Sequence, residues 1–281
     1  MEAPQLEPRP VRVYFPDLEA LVPARLEGAA VQAWLSAPIA GEPLYRRVLE
    51  SLLLHEEAEL ILRDGRVARA LAAELDENPC YGMRARCIPA DCQLDPAWPA
   101  PMLELPGEGP LCGALEPFLE RARASNTARR MSCRDALDHR PDAAGVVYRP
   151  AGSAESGPAL LDEDQLRVFP SGSAEGLRAL SLAALEGELP GHETAGRLEG
   201  NLLLGPRCSI APGVRLAGVA AVGEESAVSS GVELRHGAAI GAGCYIGEGA
   251  VIEDALILDG TEIGPGEQVV GQVRYGKDVL A

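Results

Sequence analysis

Two groups of residues in this sequence could do chemistry by their types and spacing. One is His236, in the segment ELRHGAAIG, because an imidazole has a pKa near neutral pH and could act as a general base. The other is the cluster of Cys80, Cys87 and Cys92, whose thiolates could bind zinc. Both groups also have a purely structural interpretation. His236 would then be a solvated corner residue, and the cysteines, which lack a CxxC spacing, would be free thiols.

The charge of the chain narrows its possible partners. The 281 residues carry a formal net charge of −17, and Lys277 is the only lysine. Binding to nucleic acid or to anionic lipid needs a basic surface, so we expect neither a nucleic-acid nor a membrane partner. No apolar run approaches the roughly 20 residues of a membrane span. The amino terminus shows no secretory signal, and an odd count of seven cysteines is typical of reduced thiols, so we expect a cytoplasmic protein.

An aliphatic residue returns at every sixth position in the last third of the chain. The run is Leu204, Ile210, Leu216, Val222, Val228, Leu234, Ile240, Ile246 and Ile252, after which the frame slips by one residue and resumes at Ile257. A period of six is typical of a parallel β-helix, in which three short strands form one coil of about 18 residues. We therefore expect nearly four coils, with the aliphatic side chains pointing into the prism.

This segment resembles the left-handed β-helix of the hexapeptide-repeat transferases, and the left-handed sense is implied by that resemblance alone. Many of these relatives are acyltransferases with a histidine base, a role that would fall here to His236. They usually carry a protruding loop that shapes the acyl-donor groove, and the unbroken repeats leave no place for one before Ile252. Because each coil is stabilised mainly by its neighbours, we expect a homo-oligomer or a related subunit to bind through the coil.

Strands and helices alternate over the first 125 residues. Apolar and β-branched residues predict strands in VRVYF, AELILR, MRARCIP and APMLELPGEG. Helical periodicity predicts helices in GEPLYRRVLESLLL, where Pro43 suits the first turn, and in RVARALAAEL and GALEPFLERARAS. This alternation predicts a Rossmann-like α/β domain with a mostly parallel sheet.

Two stretches of this region resemble the sugar-phosphate nucleotidyltransferases, such as mannose-1-phosphate guanylyltransferases and glucose-1-phosphate nucleotidyltransferases. APIAGEPLYRRVLESLL is similar to the family's P-(V/I)-(A/G)-G-K-P-L-I segment, and MLELPGEGPLCGALEPFLERAR is similar to its L-V-L-x-G-D strand and the helix after it. The resemblance implies a shortened nucleotidyltransferase-like domain at 1–125, a remodelled remainder and linker at 126–198, and a left-handed β-helix at 199–281.

The family's phosphate-binding loop is replaced in this chain. Family members have a glycine-rich loop directly after the first strand, and its backbone amides cradle the nucleotide phosphates. Here the strand runs into PDLEALVPARLEG, which contains Asp17 and Glu19 and has no glycine before Gly28. Arg25 is the candidate for the loop's arginine. The resemblance therefore implies a nucleotide site whose central cradle is missing.

The acidic and basic residues of the family's site are also altered. Glu42 stands where the family has a phosphate-binding lysine. Gly107 and Glu108 align with the glycine and the aspartate that binds Mg²⁺, which makes Glu108 the candidate metal ligand and Mg²⁺ the cofactor of an active enzyme. No clear counterpart of the family's second aspartate is present.

These departures favour a divergent nucleotidyltransferase-like protein that is catalytically degenerate. Such a protein would bind a sugar nucleotide or a partner subunit in a regulatory or assembly role. Two alternatives stay open: an active sugar-1-phosphate nucleotidyltransferase, and a hexapeptide-repeat acyltransferase that uses His236. The missing glycine loop separates the main hypothesis from the first alternative, and the missing coil loop argues against the second.

Overall fold

The computed structural model describes residues 12–16, 18–50, 59–77, 83–92, 101–107, 109–112, 115–125, 127–136, 141–151, 160–189 and 196–280. The chain forms two compact units. The first comprises Met1–Leu21 and Ser51–Val168, and the second comprises Val22–Glu50 and Phe169–Ala281. Within the described ranges, no helix has the length and apolar character needed to cross a membrane.

The described part of residues 1–189 contains five α-helices, a 3₁₀-helix and ten strands. The 3₁₀-helix spans Leu18–Leu21, and the α-helices are α1 (Ala29–Leu35), α2 (Leu44–Glu50), α3 (Arg66–Glu77), α4 (Leu115–Ser125) and α5 (Ala174–Leu185). The strands are β1 (Arg12–Tyr14), β2 (Pro38–Ile39), β3 (Glu42–Pro43), β4 (Glu59–Arg63), β5 (Arg84–Ile88), β6 (Met102–Glu104), β7 (Leu111–Cys112), β8 (Arg129–Asp135), β9 (Pro141–Arg149) and β10 (Leu160–Val168). Pro43 ends β3 instead of opening a helix, so α2 begins one residue later than expected.

Residues 196–280 consist of short strands joined by turns. The strands are β11 (Arg197–Glu199), β12 (Leu202–Leu204), β13 (Ser209–Ile210), β14 (Arg215–Ala217), β15 (Ala220–Val222), β16 (Ala227–Val228), β17 (Glu233–Arg235), β18 (Ala238–Ile240), β19 (Tyr245–Ile246), β20 (Val251–Glu253), β21 (Leu256–Ile257), β22 (Glu262–Ile263), β23 (Gln268–Val270), β24 (Val273–Tyr275) and β25 (Asp278–Val279).

An eight-stranded sheet of order β5-β4-β1-β6-β9-β8-β10-β7 is the framework of the first unit. Strands β5, β4, β1 and β6 run parallel to one another, as expected for an α/β unit. Strand β9 is antiparallel to both β6 and β8, and β7 is antiparallel to β10. Strands β8 to β10 therefore continue the same sheet, within the range that the resemblance assigned to a remodelled remainder and linker.

Successive side chains of these strands alternate between the two faces of the sheet, and both faces bury apolar residues. One face carries Val13, Leu60, Leu62 and Leu103, each at most 1% exposed, and α3 and α4 contact this sheet through β5 and β10. The other face carries a second cluster of buried side chains, Tyr14, Ile61, Ile88 and Met102. By the strand register, the charged side chains of Arg12, Arg63 and Glu104 lie on this same face.

The coil, which we define as residues 202–270, is built from the parallel strands of three sheets. Sheet I is β11-β12-β15-β18-β21-β24-β25, sheet II is β13-β16-β19-β22, and sheet III is β14-β17-β20-β23. Sheet I also includes β11, β24 and β25 outside this range, and its two outermost strands, β11 and β25, are antiparallel to their neighbours. Paired residues are 18 apart between the first three coils, as in Leu202 with Ala220, and 17 apart between the third and fourth, as in Val251 with Gln268. This arrangement is consistent with a parallel β-helix of four coils, and the shorter spacing corresponds to the slip in the sequence frame.

The aliphatic positions stack into three columns inside the coil. The central members are buried: Val222, Val228, Leu234, Ile240, Ile246, Ile252, Ile257, Ile263 and Val269 are all at most 2% exposed. The first coil (β12 to β14) differs, because Ile210 is only half-buried and Leu216 is 39% exposed. Both belong to strands that end their sheets, so no coil covers them.

The outer face of sheet I is buried by other parts of the second unit. Its outward residues include Ala221 and Ala239, which are 4% and 0% exposed. Strand β2 contacts both β18 and α5. The β2–β3 hairpin turns at Ala40 and Gly41, both with positive φ, and the buried Arg47 donates from Nε to the Ile39 carbonyl at 3.1 Å. Alanine at the outward positions lets the hairpin approach the sheet closely.

Candidate functional site

The strand order of the first unit reverses at β1, and this creates the candidate site. The chain passes from β1 to β4 and β5 on one side, and then returns to β6 on the other side. In such sheets ligands bind at the carboxyl ends of the strands beside the reversal. The segment after β1 and the segment after β6, which contains the predicted Gly107, lie at this edge. They are joined there by a 2.9 Å hydrogen bond from the Leu105 amide to the Tyr14 carbonyl.

Glu19 occupies the start of α3 at this edge. Its Oε1 accepts a hydrogen bond from the Val67 amide at 2.9 Å, and its Oε2 lies 3.0 Å from Arg66 Nε. Gly65 makes room for this contact, because a Cβ at that position would collide with the Glu19 carboxylate. The 3₁₀-helix after β1 therefore places an acidic side chain on the amino-terminal amides of α3.

This contact has an electrostatic consequence for anionic ligands. The amino terminus of a helix attracts anions through its free amides and its dipole. Here the attraction is satisfied by a carboxylate of the same chain, with Arg66 as its counterion. A phosphate approaching this edge would meet Glu19 in place of open amides, so the loop after β1 is poorly suited to cradle one.

A second pair of contacts lies at the same edge, on the face of the sheet that carries Tyr14. The Arg63 guanidinium lies 5.7 Å from the centre of the Tyr14 ring, and Arg149 Nε lies 3.1 Å from Glu104 Oε1. Burial raises the pKa of the Tyr14 hydroxyl, a shift that Arg63 opposes and Glu104 reinforces. Tyr14 therefore stays protonated at neutral pH, and Glu104 is neutralised by its arginine partner.

The predicted nucleotide-site residues are divided between the two units. Gly107 is buried after β6 in the first unit, and Glu108 lies outside the described residues, as does Asp17. Arg25 belongs to the second unit and donates from Nη2 to the Leu280 carbonyl at 2.8 Å. Glu42 also belongs to the second unit, where it pairs with Arg46 at 2.7 Å.

The described residues do not offer a metal site. Within them, no group of three His, Cys, Asp or Glu side chains could hold a metal ion. Glu104 and Glu19, the carboxylates described at the sheet edge, are engaged by arginines and by an amide, so they do not fit Mg²⁺. Of the three cysteines considered for zinc, Cys80 lies outside the described residues, Cys87 is exposed and Cys92 is half-buried.

His236 lies at a corner of the coil, beside α5. Its Nε2 is 3.6 Å from Glu186 Oε1, just after the end of α5, and its side chain is 55% exposed. Gly218 of the preceding coil leaves room for this side chain, because a Cβ at that position would collide with His236 Cβ and Nδ1. One ring nitrogen therefore faces a carboxylate, while the ring itself remains open to solvent.

A column of small polar residues runs along another corner of the coil. Cys244 donates its amide to Ser226 Oγ at 2.9 Å, Ser226 Oγ donates to the Gly241 carbonyl at 2.7 Å, and Thr261 Oγ1 accepts from the Gly276 amide at 3.0 Å. Burial raises the pKa of the Cys244 thiol to about 11. Cys244 is thus a core residue whose amide hydrogen bond links successive turns of the coil, and its protonated, buried thiol is not available as a nucleophile.

No protein-family model matches this chain, and comparison with curated proteins finds no match. The interpretation of the site therefore depends on its own geometry. The most informative contact joins Glu19 to Gly65 and Arg66, which lie 46 and 47 positions later in the sequence. Asp64, Gly65 and Arg66 join the predicted strand AELILR to the predicted helix RVARALAAEL, but nothing in these residues identifies the side chain that caps the helix.

Proposed function

We propose that this protein is a divergent member of the sugar-phosphate nucleotidyltransferase type that does not transfer nucleotides, joined to a left-handed β-helix. Its role is to bind a sugar nucleotide or a related subunit in a regulatory or assembly capacity. The observation that supports this most directly is the Glu19 carboxylate on the amides of α3, at the edge where a nucleotidyltransferase needs positive charge for the triphosphate.

Catalysis of phosphoryl and nucleotidyl transfer depends on fixed positive charge around the phosphates, from amides, cations and basic side chains. At the described edge the arginines Arg66 and Arg149 are each committed to a carboxylate of the chain. A bound triphosphate would have to displace both pairs. A neutral sugar or nucleoside group could bind without displacing these ion pairs, since it binds through hydrogen bonds and apolar contacts. We therefore propose ligand binding without nucleotidyl transfer.

The test separates binding from turnover. Purified protein is incubated with Mg²⁺, each nucleoside triphosphate and a panel of hexose 1-phosphates, and pyrophosphate release is followed with Glu108→Ala as control. We expect no release above that control. Thermal shift with sugar nucleotides measures binding separately, because a ligand that binds only the folded state raises the melting temperature. Pyrophosphate release that depends on Glu108 would instead favour the active-enzyme alternative.

The acyltransferase alternative is kept because Glu186 could orient the His236 imidazole. It predicts acyl-CoA turnover that disappears in His236→Ala and falls in Glu186→Gln. We expect no such turnover, because the repeats run unbroken to Ile252 and leave no place for the loop that shapes an acyl-donor groove. His236→Ala should then change the unfolding free energy by no more than about 0.5 kcal/mol, as for other exposed positions.

A further inference from the structure

The two ends of the coil are finished in different ways. At the carboxyl-terminal end, the last members of the inner columns, Ile263 and Val269, are fully buried. The terminal segment lies across this end: Arg274 pairs with Glu267 at 2.8 Å, and the Gly276 amide bonds Thr261 Oγ1. The chain therefore covers the interior of its last coil with its own residues.

The amino-terminal end is left open. Leu216 is 39% exposed, although Leu234, the next member of its column, is fully buried. Ile210, Cys208 and Val214 are only partly buried against the core. Strand β11 ends sheet I here and β13 and β14 end sheets II and III, as β25, β22 and β23 do at the other end, so the two ends differ in how their interiors are covered and not in strand order. The apolar interior of the prism thus meets solvent at the first coil.

Backbone groups at this end are also directed outward. The amides of Ser209 and Ala211 bond to the second coil, at 2.8 Å each, and so does the amide of Arg215. In a parallel ladder alternate residues bond to opposite neighbours, so the amide and carbonyl groups of Ile210 and Leu216 face the open edge. An open edge of this kind is a template for a further strand.

The charges around the open end are already paired. Arg197 lies 2.7 Å from Glu199, Arg207 lies 2.8 Å from Glu225, and Arg215 pairs with Glu233. The rim of the open end, which these paired residues form, therefore has a net charge close to zero, whereas the whole chain has a formal net charge of −17. Two copies repel each other over most of their surfaces, but this repulsion is weak where the two rims meet.

From these observations we infer that the first coil is an interface for a second copy of this chain, docked end to end. A head-to-tail stack would need an open carboxyl-terminal end, which the terminal segment covers. Only the two amino-terminal ends can meet, and a contact between identical surfaces closes as a two-fold dimer. This inference gives the assembly role proposed above a defined partner, but it rests on the coil alone and not on the nucleotide chemistry.

The experiment compares two matched substitutions by analytical ultracentrifugation of the full chain. Leu216→Arg puts a charge into the open end, and Val270→Arg puts the same charge at a half-exposed aliphatic residue of the last coil. At about 20 μM we expect wild type and Val270→Arg to sediment at twice the chain mass of 29.5 kDa. Leu216→Arg should raise the dimer dissociation constant at least about 30-fold.

A second variant guards against a folding defect in Leu216→Arg. Ile210→Pro removes an outward amide and blocks the edge of β13, while the bonds of Ser209 and Ala211 to the second coil remain. Its circular dichroism spectrum should match wild type, and it should be a monomer. A monomeric wild type, a trimer, or a dimer that survives both first-coil variants would overturn the inference. So would loss of the dimer in Val270→Arg. Pyrophosphate and thermal-shift assays on the dimer and on the monomeric variant report on the proposed function independently.

Discussion

The coil and the edge of the eight-stranded sheet are stabilised in different ways. In the coil, each inner residue is buried by the equivalent residues one repeat before and after it, as Leu234 is by Leu216 and Ile252. At the sheet edge, Glu19 reaches Val67, 48 positions away, through one side chain. Burial in the coil therefore follows from position in a repeat, whereas the sheet edge depends on particular pairs that no repeat supplies.

The sharpest test of this difference uses two leucines of one column. Leu234→Ala removes a fully buried side chain and should lower the unfolding free energy by about 2–4 kcal/mol, through lost burial and the cavity left behind. Leu216→Ala, with its side chain 39% exposed, should cost less than about 1.5 kcal/mol. Urea unfolding at protein concentrations low enough to favour monomer measures both. Equal losses would mean that the first coil is as well covered as the second.

At the sheet edge, Glu19→Ala should lower the unfolding free energy by about 1–2 kcal/mol, because it leaves the Val67 amide without its acceptor and Arg66 without its counterion. Glu77→Ala, at the other end of α3, is the matched control. A carboxylate is unfavourable near a helix carboxyl terminus, so its removal should be neutral or slightly stabilising. A Glu19→Ala variant as stable as the control would show that the carboxylate does not cap α3.

A smaller effect on the unfolding free energy is expected at Asp254, which lies at the corner of the third coil where the repeat is one residue shorter. Asp254 has φ 44°, a conformation that glycine adopts at the equivalent Gly237 and Gly271. It is held by Arg178, whose Nη1 donates to its carbonyl at 3.3 Å and to its carboxylate. Asp254→Ala keeps the strain and loses the ion pair, so it should cost about 0.5–1 kcal/mol. Asp254→Gly relieves the strain and should stay within about 0.5 kcal/mol of wild type. Thermal unfolding of the two variants gives the order, and a glycine variant less stable than the alanine variant would contradict it.

The smallest expected effect concerns pH. Partial desolvation raises the pKa of the Asp259 carboxyl, although the Ala242 amide donates to it at 2.8 Å. The folded state then binds this proton more tightly than the unfolded state does, so stability should fall as pH rises from the ordinary aspartate pKa through the raised one. Asp259→Asn keeps an acceptor for Ala242 and should remove this dependence. We expect a difference below about 0.5 kcal/mol between acidic and neutral pH, because the residue is only partly withdrawn from solvent and water still screens its charge. Identical pH profiles for the two proteins would count against the assignment.

The coil could be predicted from sequence because its period repeats many times, so each position supports the others. The expected four coils, the inward aliphatic columns and the slip after Ile252 all have counterparts in the structure. The exceptions are Ile210 and Leu216, which the period places inside, but which lie at an end that no neighbouring coil covers. A periodic pattern contains no signal for where stacking stops.

The sheet was predicted only in its parallel half. Strands β1, β4, β5 and β6 belong to the predicted parallel part, whereas β8 to β10 include antiparallel and irregular pairings and carry many charged residues, so their sequences lack the apolar runs that predict strands. The grouping of residues 22–50 with the coil depends on the small outward residues Ala221 and Ala239. In sequence these look like ordinary small positions of a repeat.

Those same outward alanines limit how this protein could grow by gene duplication. Copying one 18-residue repeat would extend sheets II and III without conflict, since their outer faces carry exposed residues such as Tyr245 and Val270. On sheet I it would move later strands away from the β2–β3 hairpin and α5, and would separate Arg178 from Asp254. Sheets II and III could therefore accept an added repeat, whereas the contacts of sheet I fix the number of coils.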